Sequence, residues 1–327
     1  MTGTPAQLAL SRRRALMLGA AGFAVGGFSR PSRAAEYATS WKFGDVTVHK
    51  VLEHIMLYPA DKSFPGMPLE ELDANADILG PNFYDPASKG IVFSYQAYLV
   101  RTPRYNIIVD GGHGNDKKRG LAGTSMLHGT EFIENLRKAG VTPDQVHFVM
   151  NTHFDSDHTG WNTVLANDAW KPTFPKARYL FDKVELADVE GKIAKSAPSK
   201  AAYDDSIKPI LDAGNADMID GDHTIGDGVR IVASRGHTAG HHSLEISSKG
   251  KRAVLCGDVI HSPIEVVHPE WTVAFDHDKE AAKITRTKFV EANTDVDVTI
   301  FAAHFSGPTA GKIVSEKGKR RFRTLVT

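Results

Sequence analysis

The stretch NTHFDSDHTGW, Asn151 to Trp161, sets two histidines and two aspartates within six positions: His153, Asp155, Asp157 and His158. It follows the apolar run VHFVM, which reads as a short strand. A tight loop leaving a strand aims alternate side chains to one side. His153 and Asp155 then face one position, and Asp157 and His158 face a neighbouring one. That pattern suits two cations roughly 3.5–4 Å apart, as in hydrolytic two-metal centres.

Similar residues recur further along the chain. Asp110 ends NIIVD, His237 lies in SRGHTAGHHS, Asp258 in LCGDVIHS and His304 in FAAHFSGP. With His153, each stands at or just past the C-terminal end of an expected strand. Side chains from several strands converge only if they share an edge, and binding sites in folds of mixed strands and helices gather at such edges. The segments SYQAYLV, NIIVD, ARYLF, VRIVAS, HSLEIS, RAVLCGD and DVTIFAAH read as strands. GTEFIENLRKAG, DKVELADVE, AAYDDSIKPILDAG and DKEAAKITRTKFVEAN read as helices. WKFGDVTVHKVLEH alternates as one strand. Leu57 to Gly90 carries five prolines and reads as a long loop with short helical pieces. Helix and strand segments are mixed, without a repeat or linker, which gives one α/β (α+β) domain over residues 36–327.

The order HFDSDH, then His237, Asp258 and His304, with Asp110 ahead of them, resembles the metallo-β-lactamase superfamily. GHTAGH, GDVIHS and AAHFSGPTAGKI look most like the branch holding methyl parathion hydrolase and the acyl-homoserine lactonases. The resemblance implies a four-layer αββα sandwich with two divalent metal ions at one end. His153, Asp155 and His237 would hold the first ion. Asp157, His158 and His304 would hold the second, with Asp258 bridging. It also implies a hydroxide between the metals as nucleophile, with Asp157 passing a proton to the leaving group. The implied reaction is cleavage of an ester or lactone in a small, partly apolar molecule. Phosphotriester hydrolysis is the nearest alternative.

Asp155 departs from the family pattern, which has His there. A carboxylate keeps a ligand but makes it harder, so zinc loses ground to manganese or iron. The superfamily's di-iron flavoproteins also carry a carboxylate at this position, which makes a di-iron oxidoreductase a further alternative. Their fused flavin domain has no room in this chain.

His261, three residues after Asp258, is a candidate donor to the substrate carbonyl or a candidate acid; in the acyl-homoserine lactonases a Tyr holds that offset. His241 and His242 read as supporting or structural histidines beside the ligand position of His237, and Asp110 as a residue that orients a ligand loop. Cys256 reads as a small buried apolar group. Nothing raises His54 or His113 above ordinary strand-end histidines. Phe64, Phe83, Tyr84, Trp161, Trp271 and Phe305 are candidate walls of an apolar cleft. The basic run KGKRRFR reads as a solvated edge strand.

The chain has 327 residues, with 39 basic and 39 acidic side chains, so it has no global basic field suited to nucleic acid. Residues 1–35 hold five arginines and no acid. SRRRALMLGAAGFAVGGFSRPSRAA reads as a twin-arginine signal peptide, implying the twin-arginine export machinery as a partner and a periplasmic or secreted destination. Removing it leaves 39 − 5 = 34 basic against 39 acidic residues, a net charge near −5. The single cysteine, Cys256, excludes an intramolecular disulfide. A small-molecule substrate is expected, and a homodimer is open.

Overall fold

A computed structural model describes residues 39–119 and 127–325. The signal segment read over residues 1–35 lies outside the described residues. Ten strands precede residue 220: β1 Ser40–Phe43, β2 Val46–Pro59, β3 Tyr84–Asp85, β4 Gly90–Arg101, β5 Asn106–Val109, β6 Phe148–Met150, β7 Thr163–Ala166, β8 Ala169–Pro172, β9 Arg178–Asp182 and β10 Ala216–Ile219. Seven follow: β11 His223–Gly226, β12 Val229–Ala233, β13 His242–Ser248, β14 Lys251–Leu255, β15 Thr299–Phe301, β16 Ala310–Glu316 and β17 Lys319–Thr324. Among the described residues, one sheet has the order β1-β2-β4-β5-β6-β9-β10, with β3 also on β4, and the second runs β11 to β17 in sequence order. β7 and β8 form a separate hairpin.

Alternation along the strands decides the layers. In β5, Ile107 and Val109 enter the core between the sheets, while Ile108 faces the other way, against Phe132 and Leu136 of the helix Phe132–Lys138. In β14, Ala253 and Leu255 point into the sandwich, and Val254 joins the opposite cluster with Val290 of the helix Lys279–Asn293. Successive strand side chains point to opposite faces, so apolar residues at consecutive positions require a cover on both sides. The result is helix, sheet, sheet, helix, the αββα order expected.

Two expectations need correcting. WKFGDVTVHKVLEH is not one strand: Gly44, at φ +58°, turns the chain between β1 and β2, which pair Phe43 with Val46. A glycine adopts that left-handed conformation without a Cβ clash, and a Cβ there would stand 2.5 Å from the Ser248 carbonyl oxygen. β2 then runs on to Pro59, taking the first three residues assigned to the loop, before the short helices Ala60–Ser63, Glu70–Ala74 and Ala76–Phe83. KGKRRFR ends the second sheet as the edge strand β17, as read.

Candidate metal centre

The ends of β5, β6, β14 and β15 and the β12–β13 loop bring the candidate residues to one edge. Asp110, at φ +62°, turns its carboxylate back to accept from Thr152 N at 2.7 Å and Thr152 Oγ1 at 3.0 Å. This fastens the start of the motif loop. The loop closes by His158 N donating to the Asp155 carbonyl at 3.0 Å and Gly160 N to the Gly112 carbonyl at 2.8 Å. A Cβ on Gly160 would lie 1.9 Å from the His113 carbonyl carbon, so only glycine fits there. Gly160–Asn162 is a single 3-10 turn leading into β7.

Two tripods result. His153 Nε2 and His237 Nε2 each lie 3.6 Å from Asp155 Oδ2. His158 Nε2 and His304 Nε2 lie 3.6 and 3.5 Å from Asp157 Oδ2. Asp258 Oδ2 sits between the tripods, 3.5 Å from His237, 3.3 Å from His158 and 3.2 Å from His304. All seven expected metal-binding side chains are therefore brought together. Asp155 reaches its tripod despite its short side chain.

Each histidine has a polar oxygen close to its other ring nitrogen. Nδ1 of His153 lies 3.0 Å from Thr152 Oγ1, that of His158 3.1 Å from Asp110 Oδ2, and that of His237 3.1 Å from Asp276 Oδ1. His304 Nδ1 faces the Ser94 carbonyl at 3.3 Å. A partner on Nδ1 fixes the ring and directs the Nε2 lone pair into the site. Nε2 of His153 and His237, both ring nitrogens of His158 and Oδ1 of Asp258 are buried without a hydrogen-bond partner. Buried polar atoms are ordinarily satisfied, so these orphaned donor atoms fit ligands of divalent cations.

The electrostatics agree. Burial opposes ionisation of Asp258, but His304, His158 and His261 outweigh it and hold the carboxylate far below its usual range. Burial would likewise lower His237, yet Asp155 and Asp276 raise it to about 9. The carboxylates thus demand positive charge in the centre of the site.

His261 is drawn in as well. Its Nε2 stands 3.2 Å from Asp258 Oδ2, and its Nδ1 3.6 Å from Glu265 Oε1. Burial is outweighed by Asp258 and Glu265, which push this imidazole up to about 10. His241 supports the bridge: its Nε2 accepts from Asp258 N at 3.0 Å. His242 lies 3.6 Å from Asp182 Oδ2, away from the tripods, and Cys256 is fully buried.

Sequence reasoning missed four residues. Glu185, in the helix Lys183–Lys192, accepts from Phe154 N at 2.9 Å and from Thr238 Oγ1 and Gly240 N at 2.8 Å each, tying the motif loop to the His237 loop. Asp276 holds His237, and Glu265 accepts from His261 N at 2.6 Å. Arg286, wholly buried, joins both carboxylates, 2.8 Å from Asp276 and 2.9 Å from Glu265. Glu185 and Arg286 lie inside segments read as helices, where charged residues read as solvated, and Glu265 and Asp276 lie outside every segment read as a strand or helix.

A cleft of about 420 Å³ opens over the tripods. Its apolar side is Met56, Tyr58, Phe93, Tyr95, Phe154 and Phe275, and its polar side includes Asp155, Asp157, His113, His261 and His277. This corrects the expected walls: Phe64, Phe83, Tyr84, Trp161, Trp271 and Phe305 are all buried in the core instead. His54 stacks on Tyr95, with ring centroids 4.7 Å apart.

Comparison with known proteins gives the same picture. The metallo-beta-lactamase superfamily domain matches residues 90–304, from the first residue of β4 to the last tripod histidine. An N-acyl homoserine lactonase of Bacillus thuringiensis is 26% identical over 169 residues, 48% of this chain and 60% of that protein. The chain thus matches less than two thirds of that relative's length. Among solved structures, the hydrolase AbOPH of the beta lactamase superfamily superposes with a TM-score of 0.73 at 24% identity, covering 88% of this chain and 97% of that one. AidC, a dizinc quorum-quenching lactonase in complex with the product N-hexanoyl-L-homoserine, gives 0.71 at 21% identity over the same shares.

Proposed function

The chain belongs to the metallo-beta-lactamase superfamily, and from that membership we propose that it is a metal-dependent hydrolase that opens the lactone ring of a small molecule bearing an apolar chain. The observation that carries this is the pair of tripods joined by Asp258 at the floor of a cleft with one apolar wall. The residues present fit two divalent cations, because their orphaned donors are the imidazole and carboxylate atoms such ions take.

When bound, the cation pair supplies a water that ionises near neutral pH and polarises the carbonyl under attack. The chain's residues do the rest. His153, Asp155 and His237 would hold one ion, Asp157, His158 and His304 the other, and Asp258, placed between the two sets, would be shared by both. Asp157, on the cleft surface, accepts the proton shed by the attacking water and returns it to the leaving alkoxide. His261 Nε2, 3.2 Å from Asp258 Oδ2 and without a hydrogen-bond partner, is placed to donate to the substrate carbonyl. Met56, Tyr58, Phe93 and Phe275 exclude water from the apolar chain. The curated relatives act on N-acyl homoserine lactones, which supports an N-acyl lactone as substrate. Zinc is the metal proposed, with manganese or iron favoured to the extent that Asp155 hardens the first position.

The arginine-bearing segment 1–35 supports export of the folded enzyme through the twin-arginine machinery to a periplasmic or secreted location. The test is a panel of N-acyl lactones, aryl esters and phosphotriesters, assayed with metal content measured on the same sample. Lactone ring opening as the fastest reaction supports the proposal. A preference for phosphotriesters or for redox chemistry rejects it.

A further inference from the structure

Asp155 removes one imidazole from the first tripod, and the fold brings another to the same place. His277, in the loop before the helix Lys279–Asn293, sets its Nε2 3.3 Å from Asp155 Oδ2, closer than either His153 or His237. At that distance the pair is also spaced as two ligands of one ion: bonds of about 2.1 Å at a tetrahedral angle put ligand atoms about 3.4 Å apart. Its ring is inclined 29° to that of His237, with centroids 5.9 Å apart.

The loop is built to hold it there. His277 N donates to the His237 carbonyl at 2.8 Å. The preceding residue, Asp276, grips His237 Nδ1 and is itself clamped by buried Arg286. The His277 side chain is about a third exposed (36%) and lines the cleft, so an ion entering from solvent reaches it.

We propose that His277 is a metal ligand of the first position, returning the imidazole that Asp155 displaced and giving it three histidines: His153, His237 and His277. The inference rests on the metal-centre reading above. Coordination through Nε2 places the ring proton on Nδ1, which in this structure faces Lys192 Nζ at 2.9 Å. Lys192 then gives up that contact and keeps Asp188, 2.5 Å away. Lys192 therefore competes with the metal for His277.

The experiment is titration of chelator-stripped full-length protein with zinc against a chromophoric chelator, and with cobalt followed by its visible spectrum. The proteins are wild type, His277→Ala, His277→Gln and Lys192→Met. Wild type takes two ions per chain. His277→Ala keeps one site at wild-type affinity and weakens the other by more than about 100-fold, beyond the usual loss of an outer hydrogen bond, with an altered cobalt spectrum. His277→Gln, whose amide still donates to Asp155 but ligates poorly, behaves like His277→Ala. Lys192→Met binds as tightly as wild type or tighter. Wild-type affinities in His277→Ala, rescue by His277→Gln, or weakened binding in Lys192→Met overturns the inference alone. Wild-type protein that binds no metal overturns the metal-centre reading and this inference together.

Discussion

The guanidinium of Arg286, with no exposed surface, lies 2.8 Å from Asp276, whose other oxygen holds His237 Nδ1 at 3.1 Å. A tripod ligand is thus oriented by a charge on the helix Lys279–Asn293, fifteen residues long and packed under the second sheet. Arg286→Met takes the shared guanidinium away from buried Asp276 and Glu265, leaving them only the imidazoles of His237 and His261. Breaking a buried pair from one side costs about 3–5 kcal/mol. The expected outcome is a fall of that order in stability by denaturant unfolding, with weakened metal binding. Unchanged stability contradicts the role assigned to Arg286.

Glu185 links the two loops that carry the first tripod. Glu185→Gln replaces a carboxylate oxygen by an amide that cannot accept from both Phe154 N on one side and Thr238 and Gly240 on the other. One buried donor loses its partner, at a cost of about 1–3 kcal/mol. Metal affinity falls about 10–100-fold, as for other groups that orient ligands. Isothermal titration with zinc measures it.

Asp258→Asn keeps the shape of the bridge but halves its capacity to join two cations. Two ions per chain fall to one or fewer, and lactone hydrolysis falls at least about 1,000-fold, the scale at which losing an electrostatic element of a site registers. Metal analysis and steady-state rates on one sample check both. A variant that keeps both ions and full turnover shows that Asp258 does not bridge.

Asp155→His exchanges a hard oxygen for an imidazole nitrogen. Zinc binding tightens and manganese binding weakens, since imidazole suits zinc and carboxylate suits manganese. Competitive titration with the two metals reads the ratio, and an unchanged ratio removes Asp155 from the ligand set.

The crowded motif loop and the strand-end placement of the other candidates were legible in the sequence because the chemistry is local, and the family resemblance supplied their grouping into two ligand sets. His153, Asp155, Asp157 and His158 share one loop, and Asp110, His237, Asp258 and His304 each follow an apolar run. The layers were legible because strands such as NIIV are apolar at consecutive positions and need a cover on each face. The supporting carboxylates were not, since Glu185, Glu265 and Asp276 become buried only when distant segments meet. His277 was invisible for the same reason. It follows Asp155 by more than a hundred residues and belongs to no motif. The cleft walls were misread because aromatic residues, whether in the proline-rich stretch (Phe64, Phe83, Tyr84) or beyond it (Trp161, Trp271, Phe305), look the same whether they end in the core or at a surface.

Chelation lowers the melting temperature, because the folded site binds cations that the unfolded chain does not retain. At a free metal concentration about 1,000 times Kd the bound ion contributes about 4 kcal/mol. Scanning calorimetry with and without chelator shows the shift, and re-addition of zinc reverses it.

The central claim is tested most directly by the rate of ring opening of an N-acyl homoserine lactone, followed by proton release, in protein of known metal content. Turnover that appears as loading rises to two ions per chain, and vanishes on chelation, is the result predicted. Protein carrying two ions per chain that opens no lactone contradicts it.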